Sequence, residues 1–452
     1  MREELTALLE RDTPITQTEL LNIIETTDAV DVAEIFSALD THKAVALFRK
    51  LPKDTVAEVF SYIDLDKQQD IIERLSDTEA GHILNNLFAD DATDLLEEMP
   101  VNVVKRLLQN VTPEKRQTIN QLLKYPEDSA GSVMTVEYVE LDENFTVKDA
   151  FEKIRKTGVN KETIYTCYVA SRDHVLKGVV SVKDLLLSPT TAVLSDIMSD
   201  TYQAVGTHAG TEHVSQLFKK YSLLSLPVLD GEGRLVGIIT VDDVVTILEE
   251  EVTEDIEKMA ALTPSETPYL QTGVIKLSAN RIIWLLVLMV SAMLTGGIIE
   301  GYEASLGKLP ILMAFIPMLM DTGGNAGSQS ATLVIRGLAL GEIRKRDVLV
   351  VLFKELRVAL VCSVILGAVN FARVMIFNQN VSVVNVAMLS LTVTLSLCAT
   401  VIMAKTVGCL LPIGAKAVKM DPAIMASPLI TTIVDAASLV VYFTIAKALL
   451  HF

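Results

Sequence analysis

Between position 278 and the C-terminus the chain carries five apolar stretches of bilayer length, and that arrangement leaves little freedom in how it can fold. A hydrocarbon core about 30 Å thick is crossed by roughly 20 residues of α-helix, and inside it every backbone amide must find a partner within the protein. Helices are therefore predicted at about 282–299, 309–335, 348–377, 383–411 and 422–450. The first is free of charge. The second is interrupted by Asp321 and a glycine cluster, the third has Lys354, Glu355 and Arg357 in its first half, and the fifth holds a single carboxylate, Asp435, near its middle. An ionised Asp at that depth costs about 2.5–3.5 kcal/mol on insertion scales, so it faces a bundle interior, a partner charge or a watery path. A protonated or paired structural Asp is the plainer alternative.

Charge divides the chain at the same place. Residues 278–452 hold eight acids against thirteen Lys or Arg, a balance of +5, so the 277 residues ahead of them carry −23 of a total of −18. A solvated part this acidic repels phosphate backbones and attracts cations, which argues against nucleic acid as a partner and leaves metal ions. Cys167, Cys362, Cys398 and Cys409 are too widely spaced for a disulfide framework or a zinc pattern. The opening MREELTALLERD lacks the apolar core of a cleaved signal, so the acidic part is expected in the cytosol. Lys and Arg favour cytoplasmic loops. Arg344, Lys345 and Arg346 lie between the second and third helices and Lys416 and Lys419 between the fourth and fifth, against Lys308 alone and none at 378–382 in the other loops. The N-terminus is then cytoplasmic and the C-terminus extracellular, with the protein multi-pass in the plasma membrane.

Internal repeats organise the acidic part. AEIFSAL at Ala33, AEVFSYI at Ala57 and GHILNNL at Gly81 recur every 24 positions, and LFRKLP at Leu47, IIERLS at Ile71 and LLEEMP at Leu95 keep the same offset. Two short amphipathic helices per period, each burying its apolar face on a neighbour, predict an all-α helical-repeat domain over 1–130. From Ser132 short strands and helices alternate, and the stretch containing GVVSVKDLL at Gly178 is echoed by one containing GIITVDDVV at Gly237. The two halves resemble a tandem pair of CBS modules, an α+β pair over 131–248. An acidic connecting helix opening with EEEVTEDIEKM is expected over 249–277, ahead of a five-helix transmembrane domain over 278–452.

In that order these parts resemble the MgtE family of magnesium channels. The most specific marks are PMLMDTGGNAGSQSATLVIRGLALGEI from Pro317 and MDPAIMASPLITTIVDAASL from Met420. The glycines of the first string are expected to weaken its helix and expose carbonyls, or else to permit close packing. Asn325, Ser328, Gln329, Ser330 and Thr332 add neutral oxygens beside them. Magnesium dehydrates reluctantly and is usually held through its waters by one or two carboxylates, so one Asp and a few neutral oxygens suffice for a hydrated ion. The resemblance implies a homodimer in which Asp435 is the central selectivity residue, Gly324, Ser328 and Thr332 oppose it, and Asp421 lies at one mouth. Ser328 departs from the Asn frequent in the family.

The same resemblance implies closure by cytosolic Mg2+, bound between Asp90, Asp91 and Asp94 of the repeat domain, Asp242 and Asp243 of the second CBS module, and Glu251, Glu254 and Asp255 of the connecting helix. Lys183 and Asp184 are candidates for the phosphate and ribose of ATP, although Thr166 and Leu223 stand where an aromatic ring would stack on adenine. No GxxxxGK[ST] loop, phosphorylated-Asp signature or nucleophile-and-base set is present, so neither a pump nor an enzyme is predicted. The membrane potential, about 2.3 kcal/mol per charge per 100 mV, is enough to draw a dication inward. Two rival readings use the same features: a secondary transporter coupled to Na+ or H+, and a non-conducting CBS sensor in the membrane.

Overall fold

A computed structural model describes residues 17–24, 26–265, 269–270, 272–377, 385–425 and 427–450. The opening MREELTALLERD and the loop 378–382 lie outside the described residues. The repeat domain runs α1 (Gln17–Ile24), α2 (Ala29–Ala38), α3 (Thr41–Phe48), α4 (Lys53–Ser61), α5 (Leu65–Arg74), α6 (Asp77–Asn86), α7 (Ala89–Glu97), α8 (Val101–Leu108) and α9 (Pro113–Leu122). A new helix starts every twelve residues, from Gln17 to Pro113. Helices this short are marginal alone, so each depends on packing. Every helix from α2 to α7 packs on the helix after next, which makes the 24-residue repeat of the sequence a stacking distance and half of it the structural unit. Asp28, Asp40 and Ser76, standing twelve or a multiple of twelve apart, accept from the first amides of α2, α3 and α6. Phe36, Phe48 and Phe60 repeat at the same spacing and meet edge to face in the core, with ring centroids 5.1 and 6.1 Å apart.

Two three-stranded sheets of one topology follow. In the first, β1 (Glu140–Asp142) runs parallel to β2 (Thr166–Ala170), which pairs antiparallel with β3 (Leu176–Ser181); β4 (Val205–Gly206), β5 (Ser225–Leu229) and β6 (Leu235–Thr240) repeat the arrangement. Both hairpins pair Val with Gly, Val169 with Gly178 and Val228 with Gly237, and both shift register immediately afterwards. A Cβ at Gly178 would stand 2.7 Å from the Ser199 carbonyl, and one at Gly237 would stand 2.9 Å from that of Thr135. The glycines therefore let a segment of backbone lie against each hairpin. Helices α10 (Val147–Thr157), α11 (Val182–Leu187) and α12 (Leu194–Ile197) accompany the first sheet, and α13 (Thr211–Tyr221) and α14 (Val241–Met259) the second. The modules share a core of Tyr168, Leu176, Leu235 and Ile238, with the Tyr168 hydroxyl 2.6 Å from that of Ser225.

Helix α14 closes the second module and continues unbroken past position 249 as far as Met259, so the connecting helix expected over 249–277 ends well short of Val274. The chain divides within it into two compact units, Met1–Leu248 and Glu249–Phe452. The second unit contains α15 (Val274–Gly301), α16 (Glu303–Lys308), α17 (Ile316–Ala339), α18 (Val348–Phe377), α19 (Val386–Ala417) and α20 (Ser427–Leu450). By length and composition Val274–Gly301, Val386–Ala417 and Pro422–Leu450 can each cross a membrane. The other two long helices also carry charges: Asp321 and Arg336 on α17, and Lys354, Glu355, Arg357 and Arg373 on α18. Helices α17, α18 and α20 pack around α19, and α15 leans on α20.

The expected break in the second helix is not found, because α17 is continuous through Gly323, Gly324 and Gly327. Those glycines permit close approach instead. A Cβ at Gly323 would meet Thr400 Cγ2 at 2.8 Å, one at Gly327 would meet the Ala404 carbonyl at 3.2 Å, and one at Gly408 on α19 would run into the Gly327 carbonyl.

Candidate functional site

Helix α17 has two faces. Gly323, Gly324, Gly327, Ser330, Ala331 and Val334 are buried against the bundle, while Asp321, Asn325, Gln329, Thr332 and Arg336 are exposed and Ser328 is half-buried at the same helical spacing. Four of the expected neutral-oxygen residues, Asn325, Ser328, Gln329 and Thr332, thus share one face, whereas Ser330, expected with them, is buried on the other side against Glu355 and Lys405. Asp435, half-buried on α20, stands beside Gly324: a Cβ at Gly324 would lie 3.7 Å from Asp435 Oδ1 and 3.0 Å from Thr431 Cγ2. With glycine there, no side chain separates the carboxylate from the surface of α17. Among the described residues the charge that acts on Asp435 is another carboxylate, Asp321.

Asp421 precedes α20 and is engaged at both oxygens. Oδ1 accepts from the Ala423 amide at 2.8 Å and Oδ2 from Lys258 Nζ at 2.7 Å. Lys258 also reaches Glu254 at 2.6 Å, one helical turn earlier on α14. Burial works to lower the Lys258 ammonium pKa, but hydrogen bonds to Asp421 and Glu254 outweigh it and the net shift is upward. Sequence reasoning missed this lysine, although its position four residues after Glu254 was a usable signal. Glu251 and Asp255 are half-buried on the same stretch of α14.

In the first unit, acids from three places converge. Asp90 on α7 is buried, and its Oδ1 has no hydrogen-bond partner among the described residues. Burial, then the fields of Asp91, Asp243, Glu162 and Glu137, hold its pKa well above the usual range. Burial and Asp243 raise Asp91 to about 6, with Lys115 opposing. Glu162 is pushed up to about 8 by burial and by Asp242, Asp243, Asp91 and Glu137. Asp243 is raised mainly by burial, although its Oδ2 accepts from the Thr240 hydroxyl at 2.7 Å at the start of α14. Asp94 and Asp242 are exposed.

Glu137 and Glu162 had no periodic mark in the sequence, since both lie in irregular backbone, where the Glu162 amide donates to the Glu137 carbonyl at 2.8 Å. Lys115 bridges the Glu137 carboxylate at 2.9 Å and the Leu87 carbonyl at 2.7 Å, holding the approach to α7. Among the described residues no three of His, Cys, Asp and Glu come close enough to ligate one ion together. An ion bound here would have at most one or two of these carboxylates, with its own waters completing the shell. Of the nucleotide candidates, Asp184 is exposed and forms a capping box with Ser181 at the start of α11, and Lys183 is exposed beside it.

Three family profiles match the chain: "MgtE intracellular N domain" over 27–128, "CBS domain" over 130–189 and 194–250, and "MgtE: Divalent cation transporter" over 316–445. The magnesium transporter MgtE of Thermus thermophilus is 36% identical over 347 residues, 77% of this chain and 76% of the relative. That of Bacillus subtilis is 34% identical over 348 residues, 76% and 74% of the two chains. A solved cytosolic domain of the Mg2+ channel MgtE in complex with ATP aligns at a TM-score of 0.51 and 32% identity, covering 55% of this chain and all of that one. The soluble part of a magnesium transporter aligns at 0.52 and 27%, covering 56% and 99%. Helical repeats, a CBS pair and a glycine-lined helix facing one membrane carboxylate, together with relatives matched over three quarters of their length, place this chain in the MgtE family of divalent cation transporters, whose curated members here are magnesium transporters.

Proposed function

We propose that the chain is a magnesium channel, a homodimer in the plasma membrane with a cytoplasmic N-terminus and an extracellular C-terminus, which admits Mg2+ down the membrane potential and closes when cytosolic Mg2+ is plentiful. The observation that carries the reading is Asp435 facing Gly324 across a bare helix surface. One carboxylate left uncovered by any side chain at Gly324 suits an ion that keeps its waters. Asn325, Ser328 and Thr332 supply neutral oxygens on the neighbouring face, and Asp421 stands at the mouth.

Closure is assigned to Mg2+ at Asp90, Asp91, Asp94, Asp242, Asp243, Glu251, Glu254 and Asp255. The unpaired buried oxygen of Asp90 supports this, since desolvated carboxylates gathered with little positive charge are relieved by a cation. An ion that binds the gathered arrangement better than the separated one shifts the population towards it. ATP is the ligand of the solved relative's cytosolic domain, and Lys183 and Asp184 would be its contacts here.

Magnesium flux into proteoliposomes under a negative-inside potential tests the channel. The parent chain conducts, and Asp435→Asn and Asp435→Ala each lose at least about tenfold in flux. Undiminished flux in both variants would remove Asp435 from the path. Flux that requires a Na+ or proton gradient would replace the channel with a coupled transporter.

A further inference from the structure

The second unit contains a buried charged network that the pore reading does not use. Lys405 on α19 and Glu355 on α18 are 7% and 12% exposed at their side chains, and their charged atoms stand 4.0 Å apart. Ser330 on α17 joins them: its hydroxyl donates to Glu355 Oε2 at 2.6 Å and accepts from Lys405 Nζ at 3.3 Å. Three helices thus meet at one hydroxyl. Charges are expensive in a bilayer, and an interior ion pair seldom stabilises more than an apolar pair of similar volume, so stability alone does not account for it. What a directional network supplies beyond packing is a fixed geometry.

Ser330 lies two residues from both Ser328 and Thr332, on the opposite face of the same helix. The glycine contacts behind α17 fix its distance from α19 and α20, because they are close approaches of backbone and small side chains. They constrain rotation about the helix axis weakly, since glycine presents no side chain to key into a neighbour. A hydroxyl held between a carboxylate and an ammonium does constrain it. We propose that Ser330, Glu355 and Lys405 form a rotational clamp on α17, which aims Asn325, Ser328 and Thr332 towards the ion and so sets ion preference. These three are positioning residues, and the proposal rests on the reading of the opposite face as the pore wall.

The test is flux into proteoliposomes, comparing Mg2+ with Co2+ as the conducted ion. Asp435→Asn is run alongside as the control for the pore reading itself: if that variant conducts like the parent, the reading fails before the clamp is in question. The single variants Lys405→Met and Glu355→Gln each leave one partner uncompensated and are at risk of misfolding. The decisive variants are therefore the neutral pair Lys405→Met with Glu355→Gln, the exchanged pair Lys405→Glu with Glu355→Lys, and Ser330→Ala. In protein that melts within a few degrees of the parent, the neutral pair and Ser330→Ala shift the Mg2+ to Co2+ flux ratio by about fivefold or more, and the exchanged pair returns it to within about twofold. A purely structural network predicts altered melting with the ratio unchanged. Parent-like ratios in the folded neutral pair and in Ser330→Ala would overturn the clamp, as would an exchanged pair that folds and stays as far from the parent as the neutral pair.

Discussion

At the scale of single residues, the membrane unit is governed by where a side chain is forbidden. Gly408 meets the carbonyl of Gly327, and backbone cannot give way as a side-chain tip can. Gly408→Ala is expected to cost about 1–3 kcal/mol through overpacking, seen as a lowered melting temperature in detergent with little recovery of flux. Gly324→Ala is milder. Its methyl group would meet Thr431 at 3.0 Å and Asp435 at 3.7 Å, a squeeze that a rotation of Thr431 can absorb. The variant should therefore fold and lose flux, because the methyl occupies the space before the carboxylate. A Gly324→Ala protein with parent flux would show that an ion does not use that space.

At the scale of elements, the repeat domain behaves as a stack of equal units. Phe48 sits between Phe36 and Phe60, so its removal opens a gap between two layers at once. Phe48→Ala should cost about 3–5 kcal/mol, against about 1 kcal/mol for Ser76→Ala, which loses one cap of α6; chemical denaturation separates the two. Here the sequence was legible in its period and not in its unit. Only alternate helices carry similar motifs, so the eye finds 24 residues while the backbone turns every twelve. The CBS pair was legible because Gly178 and Gly237 do the same work in both copies. The glycines of α17 misled: their composition reads equally as a broken helix or a tight one, and only the neighbouring α19 and α20 decide between them. Asp435 was legible since a membrane carboxylate stands out against its surroundings, whereas Glu162 is one acid among many and its burial comes entirely from tertiary contact.

At the scale of the whole molecule, the first unit gathers carboxylates that raise one another's pKa, and pH and, on the proposed reading, Mg2+ would both relieve them. The folded state raises Asp91 from its ordinary 3.8 to about 6 and Glu162 from 4.5 to about 8, so it binds protons that the unfolded chain has released. The stabilisation from those protons is full below the unfolded values and is lost as pH rises through the folded ones, between about 4 and 8. Without Mg2+, melting of the first unit should fall by about 5 °C or more between pH values of about 5.5 and 8.5. Millimolar Mg2+ should erase most of that slope, because a divalent ion takes over from the protons. A metal-free melting temperature that is level across the range would rule out the acid cluster as a source of strain. If Asp421 stands at the mouth as proposed, the Lys258 bridge would add a different kind of control there. Any ion arriving at Asp421 meets an ammonium already in place, tethered through α14 and unable to diffuse away. Dilution does not remove such a competitor and added monovalent salt does not multiply it. On the proposed reading the carboxylate is thus weighed against an internal reference, and the mouth would respond to magnesium itself more than to the ionic strength around it.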